Sequence, residues 1–202
     1  MAQVDASELG PWLAAIVQRA VSEPLREKAL AATIPSLGPI DDASSKIVRA
    51  QYEENPYPRW REMPPLLAVQ VEDGNGNGHG DRIAQALASA ADASILVAGC
   101  GTGYEPLTLA KRYPGYRVLA MDLSLASLAY AARMAEELGL RTVEFMHGDL
   151  LQVGSVQRKF QVITASGVLH HLAQPLLGWR ALSQCLAAHG VMKIALYSRA
   201  AR

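Results

Sequence analysis

The stretch SILVAGCGTGYEPLTLAKRY, residues 94–113, sets an unbroken apolar run directly against glycines at 99, 101 and 103, followed by a helix-forming segment. An apolar run with no polar face reads as a strand buried on both sides. A strand, a glycine-rich loop and a helix in that order form the unit with which open α/β sheets hold a nucleotide beyond their strand ends. The same rhythm continues downstream. YRVLAMD, RTVEFMHGD, FQVITASG and GVMKIALYS read as strands. LSLASLAYAARMAEELG reads as a strong helix, with Leu128, Ala132, Ala135 and Leu138 on one face and Gly139 closing it. Trp179, Leu182 and Leu186 mark another helix. DRIAQALASA, residues 81–90, supplies a short helix ahead of the first strand. Mostly apolar strands alternating with helices imply a doubly wound, mostly parallel sheet of Rossmann-like type.

In front of this part the character changes. Trp12, Leu13, Ile16 and Val17 give a helical apolar stripe. Pro24 suits the first turn of a second helix with Ser22 as its N-cap, and DDASSKIVRAQYEEN reads as a third helix stopped by Pro56. EDGNGNGHGD, residues 72–81, cannot build a core and tolerates positive φ, so it reads as a linker that leaves His79 solvated. Its resemblance to calcium-binding Gly/Asp repeats rests on one unrepeated copy, which argues against that role. The expected division is a helical cap over 1–72, a linker over 73–81 and the sheet domain over 82–202.

Composition narrows the class. Lys plus Arg and Asp plus Glu are 19 each, so no global field draws the chain to nucleic acid or an acidic membrane. Cys100 and Cys185 are the only cysteines, too few for a disulfide scaffold or a tetrathiolate metal site. The N-terminal sequence has no leader pattern, and no apolar run approaches the ~18–20 residues of a membrane span. A reducing cytoplasm is the expected setting.

The glycine spacing selects the ligand. A dinucleotide loop requires G-x-G-x-x-G, but the third position falls on Tyr104 counting from Gly99, and on Pro106 counting from Gly101. No G-K-[ST] follows, which excludes a P-loop. The G-x-G-x-G pattern of Gly99, Gly101 and Gly103 resembles the first motif of the class I S-adenosylmethionine-dependent methyltransferases. Asp122 at the end of the second strand, GDL (148–150) after the third, and FQVITASGVLHHL (160–172) at the fourth continue the resemblance in order. It implies S-adenosylmethionine as cofactor. The loop around Gly99, Cys100, Gly101 and Gly103 would lie against the methionyl part, with Ser166 near it. Asp122 and Leu123 would serve the ribose, and Asp149 with Leu150 the adenine edge. Adenosine needs a diol acceptor and an edge reader but no phosphate cradle, which suits this set. That family usually carries an acid two residues before the first glycine. Val97 stands there, and Glu105 is either its substitute or a residue favoured by the helix dipole.

Acceptor-side residues are less determined. QYEENPYPRW, residues 51–60, is either packing or a lid, with Tyr52 or Tyr57 over the transfer site and Arg59 pairing the methionyl carboxylate. Such wording is similar to the stretch before the methyltransferase domain in certain bacterial proteins that also carry tetratricopeptide repeats. His170 and His171 are candidates for a general base, with a structural role equally open. His147 is favoured for packing over flanking adenine, Cys100 for a small loop residue over a nucleophile, and no metal site is suggested. The sequence stops after the fifth strand, where the family has two more. The open edge would then be covered by the N-terminal helices, by an oligomer partner or by a further C-terminal segment. The expected activity is methyl transfer to an O, N or C nucleophile of a small-molecule acceptor rather than a protein, without nucleic acid or membrane. The alternative is a non-catalytic S-adenosylmethionine-binding module with a regulatory or interaction role.

Overall fold

The computed structural model describes residues 10–63 and 79–196, the side chains of 79–81 excepted. Five parallel strands run β1 (Ser94–Ala98), β2 (Arg117–Asp122), β3 (Val143–His147), β4 (Phe160–Ser166) and β5 (Leu186–Ala195), in spatial order β3-β2-β1-β4-β5. β1 lies at the centre and is buried along its whole length. Its side chains alternate between two cores. Ile95 and Val97 pack with Leu87 and Leu109 on one face, Leu96 and Ala98 with Phe160 and Leu182 on the other. A strand covered on both faces favours apolar residues throughout, which is why Ile95–Ala98 reads as a continuous apolar run.

Helices α4 (His79–Ala88), α5 (Tyr104–Arg112) and α6 (Leu125–Glu137) contribute to the first face, α7 (Pro175–Cys185) to the second. α6 is capped by Ser124, whose Oγ accepts from the Ser127 N–H at 3.0 Å. Gly139 sits just past its end at φ 68°. Leu128, Ala132 and Ala135 face inward as expected, while Leu138 is an exposed helix end. Leu186 is strand rather than helix: α7 stops at Cys185 and β5 begins without a loop. α4 begins at His79, so the last three residues of the expected linker are helical, and the remainder of it lies outside the described residues.

The cap differs more from expectation. α1 (Pro11–Val17) and α2 (Glu23–Ala31) are one helical run joined by a π-helical turn over Gln18–Ser22. Ser22 is itself helical and makes no capping bond. A proline inside a helix removes one backbone bond and crowds the preceding turn, and the wider π turn just ahead of Pro24 absorbs this without a break. The stripe on α1 is not buried: Trp12 is 70% and Ile16 51% exposed. Charge ties α2 to α6. Arg133 of α6, buried, meets Glu27 at 3.0 Å and Glu23 at 3.7 Å from α2, and Glu137 at 2.6 Å. α3 (Ala43–Glu54) follows, N-capped by Asp42, whose Oδ1 accepts from Ser45 N–H at 2.8 Å.

Between α2 and α3 the chain pairs with the sheet. Ser36 forms a parallel bridge with His147, with Leu37 N–H donating to His147 O and His147 N–H to Pro35 O, each at 2.9 Å. His147 completes the joint with its ring, Nδ1 to Ser36 Oγ at 3.3 Å and Nε2 to Leu123 O at 3.0 Å. The N-terminal region therefore pairs with the C-terminal end of β3. Among the described residues, β5 has β4 as its strand neighbour and no strand on its other side.

Candidate cofactor site

A cavity of about 380 Å³ opens beyond the C-terminal ends of the strands, between the sheet and α3 with the segment that follows it. That is the size range of small-molecule sites, and the position is where open parallel sheets bind ligands. A larger hollow, about 640 Å³, lies between the cap and α6, beside the start of β3, and is walled mainly by aliphatic groups and backbone.

β1 hands over to the glycine loop, whose first two amides, Gly99 and Cys100, both donate to Met121 O at the end of β2. The loop is further tied by Gly101 N–H to Asp122 Oδ2 at 2.7 Å, and Asp122 Oδ1 takes the Ser124 N–H at 2.9 Å. Each carboxylate oxygen thus spends one lone pair on backbone and keeps capacity for a ligand diol. Burial pushes the Asp122 carboxyl up from the usual carboxylate range, against the pull of the backbone N–H groups of Ser124, Gly101 and Leu123 and of His147. Asp149 stands two residues beyond β3, N-capping a short 3₁₀ turn (Leu150–Val156) through Oδ1 and Leu151 N–H at 2.9 Å.

The glycines do different work. A Cβ on Gly99 would sit 2.2 Å from a Val168 methyl, and one on Gly103 2.5 Å from Ala131 Cβ on α6. Both are needed for close approach within the protein itself. A Cβ on Gly101 would meet nothing nearer than Tyr57 O at 3.8 Å, so of the three it is the one with room beside it at the cavity wall.

The cavity wall brings together Gly99, Cys100, Gly101, Asp122, Leu123, Asp149, Leu150 and Ser166 with Tyr52, Tyr57 and His171. Gly103, Arg59 and His170 are not part of it. Arg59 turns to the cap, 3.6 Å from Glu27 and over the Tyr130 ring at 5.3 Å. His170 packs beside His171, ring centroids 4.2 Å apart, and Tyr52 meets His171 edge-on at 6.4 Å. Burial, then the Asp122 charge, drives the Cys100 thiol well above its ordinary value, so it stays protonated.

NPYPRW lies across the glycine loop. Thr102 Oγ1 donates to Pro58 O, and Trp60 Nε1 donates to Thr102 O at 3.0 Å. Tyr130 Oη donates to Trp60 O, and Ser124 Oγ to Tyr52 O at 3.0 Å. The Tyr57–Pro58 bond is cis. The segment therefore packs on the loop, and its Tyr57 and Pro58, together with Tyr52, also line the cavity. Thr102 and Ser124 escaped the sequence reading because their partners lie 44 and 72 residues away.

Glu105, Asp122 and Asp149 are the acidic groups of the described wall, and none of its residues is Lys or Arg. A pyrophosphate would find no countercharge here. A nucleoside bearing positive charge would find three carboxylates.

Comparison with known proteins agrees. A family model described as a methyltransferase domain matches residues 95–190. An uncharacterised protein of Synechococcus sp. (strain ATCC 27144) is 36% identical over 109 residues, covering 54% of this chain and 26% of that protein. The chain spans about a quarter of the length of the curated relatives it matches. Among solved structures, magnesium protoporphyrin IX methyltransferase of Synechocystis PCC 6803 with bound SAM superposes with TM-score 0.52 at 21% identity, covering 74% of each chain. A structure described under conversion of a disulfide bond into a thioacetal group in echinomycin biosynthesis gives TM-score 0.50 at 26% identity, over 74% of this chain and 60% of that one. Residues 95–190 are therefore similar to a methyltransferase domain, and the chain shares its fold with the magnesium protoporphyrin IX methyltransferase.

Proposed function

We propose that the protein transfers a methyl group from S-adenosylmethionine to a nucleophilic O, N or C atom of a small-molecule acceptor. The observation that carries this is the cavity wall itself: two carboxylates at adjacent strand ends, a glycine loop between them and the next strand, and no basic side chain. When bound, S-adenosylmethionine supplies a methyl group already activated by its sulfonium. The residues have correspondingly little covalent work. Asp122 accepts from the ribose hydroxyls, Asp149 and Leu150 meet the adenine edge, and Gly101 leaves space for the arm beyond the ribose. Tyr52 and Tyr57 close the far wall and keep water from the transfer line. Much of the rate then comes from holding acceptor and methyl in line. His171, on the same wall, is positioned to take a proton from an acceptor hydroxyl or amine.

The wall's apolar and aromatic residues and the balanced charge of the chain favour a compact acceptor over nucleic acid. Among the described residues no helix is long and apolar enough to cross a membrane, and no three-residue His/Cys/Asp/Glu group is placed to hold a metal. A cytoplasmic setting belongs to the same proposal.

Calorimetric titration with S-adenosylhomocysteine, NAD and NADP tests the cofactor: S-adenosylhomocysteine is expected to bind, and binding of NAD alone would overturn the reading. Turnover of methyl-labelled S-adenosylmethionine over a panel of phenols, amines and acids tests the rest. Binding without turnover on any acceptor would favour a non-catalytic binding module.

A further inference from the structure

We propose that Glu105, oriented by Lys193 and Ser166, accepts the α-ammonium group of bound S-adenosylmethionine. The proposal rests on the cofactor reading above. The strand order sets the direction of the ligand: Asp149 follows β3, Asp122 ends β2, and the glycine loop follows β1. A nucleoside with its base at β3 and its ribose at β2 sends its remaining arm toward β1 and β4. That arm ends in an amino acid, whose ammonium requires an acceptor. Of the three acids in the described wall, Asp122 and Asp149 are committed to the adenosine end, and Glu105 remains. Val97, at the end of β1, is apolar and fully enclosed in the core and offers the arm nothing polar.

Glu105 lies in the first turn of α5, where the helix dipole alone would favour a carboxylate. Its contacts, however, reach across to the sheet. Ser166 Oγ donates to Glu105 Oε1 at 3.5 Å from the end of β4, and Lys193 Nζ stands 3.6 Å from the same oxygen on β5. Thr164 and Lys193 are register partners, so Lys193 and Ser166 approach from neighbouring strands on one face. Both contacts are long, and the Lys193 and Glu105 side chains are 43% and 27% exposed. A long, half-exposed pair of this kind is weak. It therefore orients Glu105 without tying it up, and a charge-assisted bond of ordinary length to an incoming ammonium outweighs it.

The test is a ligand-truncation cycle by calorimetry on the purified protein, with S-adenosylhomocysteine, its deaminated analogue and 5′-methylthioadenosine. Glu105→Gln is expected to weaken S-adenosylhomocysteine by roughly 10- to 100-fold, the range for a lost charged hydrogen bond. The same substitution should leave the two ligands that lack the α-amino group within about twofold. Lys193→Met should cost S-adenosylhomocysteine about two- to fivefold and spare the truncated ligands. Equal losses for all three ligands would make Glu105 a structural residue and overturn the proposal, as would no loss at all. Should Glu105→Gln unfold, deamination of the ligand must cost the unsubstituted protein the same factor, and its failure to do so also overturns it. If the unsubstituted protein binds none of the three, the cofactor reading has failed rather than the role of Glu105.

Discussion

The two ends of the cavity are built differently. At the end proposed for adenosine, Asp122 and Asp149 are fixed by backbone N–H groups shortly after their own strands or in the glycine loop. At the end proposed for methyl transfer, Tyr52, Tyr57 and His171 arrive from the cap and from a short turn after β4, and Tyr57 is 74% exposed. The first end is set by local backbone geometry and admits little variation. The second is furnished by side chains that can change without disturbing the sheet, which is how one fold serves many acceptors.

Substitutions at the two ends should therefore separate affinity from turnover. Asp122→Asn removes the charge that the ribose hydroxyls and the Gly101 amide share, and should cost S-adenosylhomocysteine about 100-fold or more in Kd. A loss under fivefold would mean that the adenosine end is not anchored there.

Gly99→Ala drives a methyl into Val168 at a residue with φ 69°, and should destabilise the fold by about 3 kcal/mol, a fall in Tm on the order of 10 °C. Pairing it with Val168→Ala should recover part of this, because the overlap is with the valine methyls, and no recovery would place the cost in φ alone. Arg133→Met leaves Glu27 buried without its closest partner and should also cost about 3 kcal/mol, in stability rather than in turnover.

Acidity gives the next effect. In the proposed role it is the ionised form of Asp122 that binds a diol, and burial raises the pH at which that form is lost. Affinity for S-adenosylhomocysteine should thus fall on acidification beginning above the ordinary aspartate value of about 3.9, approaching tenfold per pH unit, and Asp122→Asn should abolish this dependence. For folding the sign is opposite. A carboxyl whose folded value is raised contributes stability below its unfolded value, and that contribution is lost as pH rises through the folded value. Mild acid should release the ligand before it harms the protein at this group. The smallest effect is expected at Tyr57→Ala, a few-fold loss of kcat with the Kd for S-adenosylhomocysteine unchanged. A larger change in Kd than in kcat would merge the two ends into one.

How much of this was legible in the sequence follows the same division. SILVA announces itself because a strand buried on both faces is written in its own composition, whereas Gly99, Asp122 and GDL are legible from the glycine spacing and from the order of motifs that carries the resemblance. Arg59 was misplaced because its partner, Glu27, lies in a helix whose docking depends on Arg133, more than 100 residues away. The Ser36–His147 bridge gave no local signal either, since a single bridge has no periodicity to detect. The exposed stripe on α1 shows the reverse case, a regular pattern with no partner among the described residues.

Thr102 is held from both sides by NPYPRW, its hydroxyl by Pro58 and its carbonyl by Trp60. Loop and strap are therefore one cooperative unit, and ligand contacts made by one are felt as amide protection in the other. Hydrogen exchange at residues 101–103 and 57–61 should slow together when S-adenosylhomocysteine binds, by a common factor. A glycine loop is normally the most permissive part of a nucleotide site. Here Pro58 and Trp60, from outside the sheet domain, hold that loop, so under the proposed function the cap is expected to slow release of the cofactor.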